Sequence, residues 1–282
     1  MAYPTVSAPY GFKPVNLIGG QVFAGSTRSL PIQYGYATNI FYGDFVVLSR
    51  GFVTRASVTS ATSGNLVTGV FLGCSYTDPV TKQKRFMQYW PASTLAGDAV
   101  AVVTDDPDTV FRVAAVTAQG GTTIGSFALR HIGCNVIASD LAGNINTGDS
   151  SNAVVAPTTT PVTTSLPIRV VDIVRDTGQS YSATGSSSTT TITLTGSGLP
   201  VAIPAGTDVA YIASNGQLIE TGSYVAAAAS AGATSVTLDA TIAVPGGVVA
   251  IPASSTIVFT VYPEALVKVQ FGNHSYYTAT GT

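Results

Sequence analysis

The sequence contains few charged residues. Only 26 of its 282 residues are charged, 12 basic and 14 acidic, which is 9% against about 25% in ordinary soluble proteins. The deficit is concentrated in residues 178–260, which include no Lys or Arg and only three acids, Asp208, Glu220 and Asp239. An enzyme needs reactive groups in a cleft, and a nucleic-acid binder needs clustered cations. The composition therefore disfavours both classes, and a neutral surface suits a component of a large assembly.

The sequence also lacks an excess of positive charge, a secretory signal and a long apolar segment, which limits the kinds of partner that we expect. The net charge is -2 and the pI is near 5.5, so nothing favours binding to nucleic acid or to an anionic membrane. The first five residues lack the cationic and apolar regions of a secretory signal. The apolar stretch 242–251 is broken by Pro245 and two glycines, and it falls short of the roughly 20 residues that span a bilayer. We expect synthesis in a cytoplasm and no membrane partner.

Cysteine and histidine are also scarce. A zinc site would require both cysteines, Cys74 and Cys134, and both histidines, His131 and His274. The number of cysteines allows one disulfide, but we expect two buried free thiols in a reducing compartment. His131 lies near Cys134, but no acid is indicated that would orient it, so a structural histidine is the better interpretation. We therefore predict no catalytic residues, no metal and no cofactor.

Two clusters of charge remain. Asp105, Asp106 and Asp108 could hold a hard cation, but the further oxygen ligands of a calcium loop do not follow. Asp-Asp-Pro-Asp is typical of a turn between strands, and we predict a turn here. The only basic run, Lys82 to Arg85, also lies in a predicted turn, where it is either a solvated tip or a contact for an acidic partner.

Residues 1–25 are predicted to form an extended N-terminal arm. Three prolines recur every five residues with aromatic residues between them, and proline favours extended geometry in itself and in its predecessor. Aromatic side chains in a free tail would be an exposed liability, so we expect the arm to dock on a surface. The side chains predicted to contact a capsid or a neighbouring subunit are Tyr3, Tyr10, Phe12 and Lys13.

The rest of the chain is predicted to be all-β, with an antiparallel sandwich or barrel as a base domain made of residues 26–177 and 261–282. Short runs rich in Val, Ile, Phe, Tyr and Thr alternate with Gly, Asp and Pro. Residues 45–48 and 51–54 form a candidate hairpin, and 122–129 is a weak helix candidate. Two distant segments, 166–175 and 264–271, alternate like partners in an antiparallel pair.

The charge-poor stretch between those partners is predicted to be a small inserted β-sandwich, or knob, over residues 178–260. It contains an internal repeat, because the string Val-Ala-Ile-Pro-Ala occurs at 201–205 and again at 249–253. A β-branched run precedes each copy and a second strand follows it. Two copies of one β unit can cover each other's apolar faces.

Several phrases resemble a known family. They are Gly43–Leu48, Gly69–Asp78, Tyr89–Pro91, Asp105–Asp108 and the closing His274–Thr278. These look like capsid decoration (cement) proteins of tailed bacteriophages, particularly of short-tailed phages of aquatic bacteria. The resemblance covers roughly residues 1–177 and 261–282 and depends on phrases rather than on a catalytic motif. The insert resembles the variable, surface-exposed β knobs that phage structural proteins carry.

The resemblance implies a structural virion protein rather than an enzyme. Such a protein binds the outer face of the capsid, bridges neighbouring copies of the major capsid protein and stabilises the shell against the pressure of its DNA. It would be made in the bacterial cytoplasm and would self-associate, with a trimer favoured and a dimer as the alternative. The alternatives are a host-surface glycan-binding module, acting through the insert, and a minor fibre or tail protein.

Overall fold

The computed structural model describes residues 6–59, 66–157, 166–187, 190–242 and 250–277. About 45% of the chain is strand and 4% is helical, with several antiparallel sheets, one of them nearly barrel-shaped. This confirms the predicted all-β class. Within the described residues, no helix is long and apolar enough to cross a membrane.

The strands are, in chain order, β1 (Lys13–Leu17), β2 (Arg28–Pro31), β3 (Phe45–Ser49), β4 (Phe52–Arg55), β5 (Gly69–Thr77), β6 (Lys84–Met87), β7 (Val100–Thr104), β8 (Thr109–Val116), β9 (Asn135–Val136), β10 (Ala138–Ser139), β11 (Ala153–Val155), β12 (Ile168–Ile173), β13 (Gln179–Ser187), β14 (Thr191–Leu194), β15 (Asp208–Ile212), β16 (Leu218–Tyr224), β17 (Ser235–Thr237), β18 (Ser255–Val261) and β19 (Glu264–Val269). Short 3-10 turns lie at Leu129–His131, Arg175–Thr177 and Phe271–Asn273.

The first sheet has the order β10-β11-β8-β19-β12-β9, and β1 also pairs with β8. β12 and β19 are antiparallel, with Ile168 opposite Val269 and Ile173 opposite Ala265. This confirms the pairing predicted for the two distant segments. The core of this sheet is built from Val, Ile, Ala and Phe side chains that alternate towards one face.

The second sheet has the order β2-β7-β5-β3-β4, with β6 paired to β5. Its core surrounds Trp90, which is fully buried. β3 and β4 form the hairpin that the sequence predicts. Arg50 and Gly51 at its turn have φ values of 51° and 85°, the left-handed pair that matches the twist of a two-residue hairpin.

The third sheet has the order β16-β15-β18-β13-β14-β17, and a bridge between Val225 and Leu238 joins its two ends. The sheet is therefore nearly closed into a small barrel, which is consistent with the small β-sandwich or roll that the sequence predicts. All six strands lie between Gln179 and Val261, and they enclose a hydrophobic core of their own. The division of the chain into domains stays a prediction. The first strand of the barrel begins, and its last strand ends, one residue after the boundaries predicted for the insert, 178 and 260.

The two halves of the barrel are related by an approximate twofold axis. β15 pairs with β18, the corresponding strand of the other half, in a register that is symmetric about Ala210 and Val258. β14 pairs with β17 in the same way about Ile192 and Val236. The first Val-Ala-Ile-Pro-Ala string is described in full, whereas Val249 of the second lies outside the described residues. Side chains at equivalent positions are buried in the same core: Leu194 and Leu238, Ile203 and Ile251, Val209 and Ile257, Tyr211 and Phe259.

The helix predicted at 122–129 is wrong. Ile124 forms a bridge with Val116, and the only helical turn nearby is the 3-10 turn that starts at Leu129. A Cβ atom at Gly125 would lie 2.8 Å from the backbone of Val116, so the chain folds back against β8 at a distance that only glycine permits. Neighbouring β-branched residues also favour extended geometry over a helix.

Candidate functional site

The N-terminal arm lies against its own chain. The amide of Gly11 donates to the carbonyl of Asn152 at 3.0 Å, and the amide of Phe12 donates to that of Gly43 at 3.0 Å. β1 then pairs antiparallel with the first half of β8. Residues 11–17 are therefore part of the folded base, and backbone hydrogen bonds fix their position.

Phe12 anchors the arm in the first core. Its side chain is fully buried, with its ring centroid 4.2 Å from that of Phe45 and 6.5 Å, edge to face, from that of Phe111. The edge-to-face arrangement with Phe111 is one in which aromatic rings attract one another beyond the effect of burial. Since no part of this side chain is exposed, it cannot touch a partner while the arm is docked.

Tyr10 and Lys13 also bind within the chain. The Tyr10 hydroxyl donates to the buried carboxylate of Glu264, which also accepts a hydrogen bond from Arg112. Burial, followed by the hydrogen bond to Glu264, raises the pKa of Tyr10, so its hydroxyl stays a donor. The Lys13 ammonium lies 2.7 Å from a carboxylate oxygen of Asp149. It also lies over the ring of Tyr42, 3.9 Å from its centroid.

Of the four residues predicted to contact a partner, the structure describes three. Tyr3 lies outside the described residues. The structure brings Tyr10, Phe12 and Lys13 together on one side of the base, where all three bind their own chain. Contact with a capsid through them stays an untested prediction, and the packing of Phe12 does not favour it. The spacing of prolines and aromatic residues indicates docking, but it does not say on which molecule.

A buried carboxylate that the sequence analysis did not single out holds the same region together. Asp44 is fully buried and accepts hydrogen bonds from the Phe41 amide, Ser150 Oγ, Asn152 Nδ2 and Arg55 Nε, at 2.6 to 3.1 Å. Burial raises the pKa of Asp44, and Arg55 opposes that shift. Two of these partners lie more than 100 residues away, so no local pattern could have revealed them.

The acidic cluster forms a turn, as predicted. The amide of Thr109 donates to the carbonyl of Asp106, whose carboxylate accepts the amide of Asp108 at 2.8 Å. Asp105 pairs with Arg28 at 2.6 Å, and Asp108 pairs with Lys268 at 3.1 Å. Among the described residues, no group of three or more His, Cys, Asp or Glu is placed to hold a metal ion.

The two cysteines and the two histidines are buried. Cys74 and Cys134 are free and buried, as predicted. Burial raises the pKa of the Cys74 thiol to about 12, so it is not a thiolate at neutral pH. Burial lowers the pKa of His131 to about 4, and its Nδ1 accepts the Ala128 amide at 3.1 Å.

The junction between barrel and base contains two of the barrel's three acids. The carboxylate of Asp208 accepts the amide of Leu129 at 2.6 Å, and burial raises its pKa to about 6. Glu220 is close enough to raise the same pKa further. Burial also raises the pKa of Glu220, and Arg175 opposes that shift. The guanidinium of Arg130 lies over the ring of Tyr224.

A cavity of about 370 Å³ also lies at this junction, and apolar and backbone groups make up most of its wall. Val6 and Ile124 contribute from the base, and Tyr181, Pro204 and Val261 from the barrel. Its few polar groups do not include a paired acid and base, so its chemistry favours packing between the two parts over catalysis.

A group of exposed apolar side chains, which we call the apolar pole, surrounds the acidic turn at the other end of the base. It consists of Ile18, Phe271, Tyr276 and Tyr277, with exposed fractions between 43% and 65%. The rings of Phe271 and Tyr277 stack with centroids 4.1 Å apart. Large apolar side chains grouped on a surface are typical of a protein contact.

In comparisons with known proteins, no family model, no curated protein and no solved structure matches the chain.

Proposed function

We propose that this protein is a structural component of a phage particle that binds the outer surface of the capsid and bridges major capsid proteins. The observation that carries the proposal is the uneven distribution of contact-forming groups between the two parts. Of the fifteen large apolar side chains that are exposed among the described residues, only Ile212 and Leu218 belong to the barrel. All eight ion pairs of the described residues lie outside it.

This distribution fits a base that attaches and a barrel that projects. Exposed apolar and aromatic groups supply most of the free energy of protein association. A barrel covered with Ser, Thr and Ala offers little for another protein to hold. A component repeated over a shell needs only modest contacts per copy, because simultaneous attachment to several neighbours multiplies their effect.

The test is to count copies and to measure binding. Quantitative mass spectrometry of purified phage particles should find hundreds of copies of the chain, and the purified protein should co-sediment with capsids that lack it. A handful of copies per particle would indicate a fibre or tail component. Failure to bind capsids would refute the shell role. Light scattering of the free protein distinguishes the trimer, which we propose first, from a dimer.

The arrangement of aromatic residues in the barrel disfavours the glycan-binding alternative. A sugar-binding surface needs exposed aromatic rings on which a sugar ring can stack. Tyr211 and Phe259 are buried in the barrel core, Tyr181 packs against that core, and Tyr224 lies beneath Arg130. A glycan array probed with the full chain tests this alternative. Specific glycan binding that is unchanged by amino-acid substitutions on the surface of the base would support it.

A further inference from the structure

The base has two ends, and the barrel occupies one of them. β19 begins at Glu264, three residues after the last barrel strand, and runs away from the barrel to Val269. β8 is antiparallel to β19, with Ala114 opposite Glu264 and Phe111 opposite Val267. The start of β8 therefore lies at the far end, roughly 17 Å from the junction at about 3.3 Å per residue. The acidic turn and the apolar pole lie at this end.

We infer that the apolar pole is the surface through which the base contacts the major capsid protein. This inference rests on the proposed function and names its contact surface. The pole is formed by four side chains from two segments, residue 18 and residues 271–277, and one hydrogen bond from each segment ties it to the acidic turn. Ile18 donates its amide to the carbonyl of Asp108, and the Tyr276 hydroxyl donates to Asp105.

The segment that carries the aromatic residues is rigidly attached. The amide of Val67 donates to the carbonyl of Asn273 at 2.8 Å, and the amide of Ser275 donates back to that of Val67 at 2.9 Å. His274 between them is 2% exposed. Phe271 and Tyr277 are thus exposed on either side of the β-bridge between Val67 and His274. Such side chains lose little conformational freedom on binding, which favours affinity.

The charges around the pole define the chemistry of the partner. Asp105 and Asp108 have ion-pair partners within the chain, so covering them leaves no charge without a partner. The Asp106 carboxylate has no ion pair among the described residues, and its one resolved partner is a backbone amide. The partner surface that fits the pole is an apolar pocket with a cationic rim. The aromatic side chains of the pole would fill the pocket, and polar contacts would surround them.

A second copy of this chain offers the pole one cation of its basic run that has no ion pair among the described residues, Lys82, which stands between the exposed Val80 and Phe86. Its only basic run is Lys82 to Arg85, and two of those three cations are already engaged. Lys84 pairs with Asp98 at 2.9 Å, and Arg85 pairs with Asp78 at 2.9 Å. The exposed apolar pair on the barrel, Ile212 and Leu218, has no cation nearby, because residues 178–260 contain none.

The test compares two matched double variants of the full chain for binding to capsids that lack the protein. The pole variant is Phe271→Ala with Tyr277→Ala, and the barrel control is Ile212→Ala with Leu218→Ala. All four side chains are exposed, so both variants should keep the far-ultraviolet circular dichroism and the Trp90 fluorescence of the parent. We expect the pole variant to lose at least tenfold in affinity and the barrel control to lose less than twofold.

A third variant, Asp106→Asn, keeps the acceptor for the Asp108 amide while removing the charge. It should weaken binding by a smaller factor and flatten the dependence of affinity on salt concentration. Parent and pole variant binding equally well would overturn the assignment of the contact surface while leaving the proposed function standing. A change in oligomer mass without a change in capsid binding would overturn it too, in favour of a contact between copies. No binding by the parent would refute the proposed function itself.

Discussion

Replacement of Phe12 by Ala tests whether the N-terminal arm is part of the folded base. The side chain is fully buried between two aromatic rings in the first core. Truncation of a buried Phe to Ala costs about 3–5 kcal/mol, because burial is lost and a cavity is left. We expect the Phe12→Ala variant to lose that amount of unfolding free energy relative to the parent. An arm that served only to contact a partner would contribute almost nothing to the stability of the free chain.

The assay is urea denaturation followed by the fluorescence of Trp90, the only tryptophan, which lies in the second core of the base. Its signal reports unfolding of the base and is separate from that of the barrel. The matched control is Phe271→Ala, which removes the same side chain from a position that is 65% exposed. It should change the unfolding free energy by about 0.5 kcal/mol or less. A loss at Phe12 no larger than the loss at Phe271 would refute the intramolecular docking of the arm.

Three further predictions follow from buried groups. The native pKa of Asp208 is raised to about 6 by burial, so the native state binds more protons than the unfolded state between pH 4 and 6, and stability falls as pH rises through this range. Asp208→Asn should therefore be more stable than the parent at pH 7, by about 3 kcal/mol, with the difference vanishing near pH 4. A gap that is independent of pH in urea titrations would contradict this. Cys74 and Cys134 should resist a thiol reagent in the native protein and should both react in guanidinium. Fast labelling of the native protein would show that the thiols are accessible and would contradict their burial. Ile192→Ala and Val236→Ala, at equivalent positions of the barrel, should each cost about 1–4 kcal/mol in the barrel's own calorimetric transition; a loss confined to one of them would contradict the symmetry.

Part of the fold could be predicted because its signals are local. The hairpin of β3 and β4 depends on two short β-branched runs and a turn that accepts left-handed residues. The acidic turn depends on Asp and Pro, whose side chains organise the backbone within a few residues. The pairing of β12 with β19 came from matched alternation, since period-two patterning fixes which face is buried.

The candidate contact surface could not be predicted in this way. Ile18 lies more than 250 residues from Phe271 and Tyr277 in the sequence. Nothing local distinguishes an exposed Phe271 from a buried Phe12. Both stand in short polar contexts next to glycine. The two side chains differ in burial because of their distant contacts. The amide of Gly11, next to Phe12, donates to the carbonyl of Asn152 and holds Phe12 over the core, whereas Phe271 lies just beyond the end of β19.

The sequence by itself determined the all-β class, the two free cysteines, the charge-poor stretch and the repeat within it, because composition, alternation and turn chemistry act over a few residues. The tertiary structure alone decided that the repeat forms a nearly closed barrel about a twofold axis. It also decided that the arm docks on its own base and that Phe271, Tyr276 and Tyr277, three of the exposed aromatic residues, lie together beside the acidic turn. Each of these depends on contacts between distant segments, whose formation is set by the packing of the whole chain and leaves no local signature.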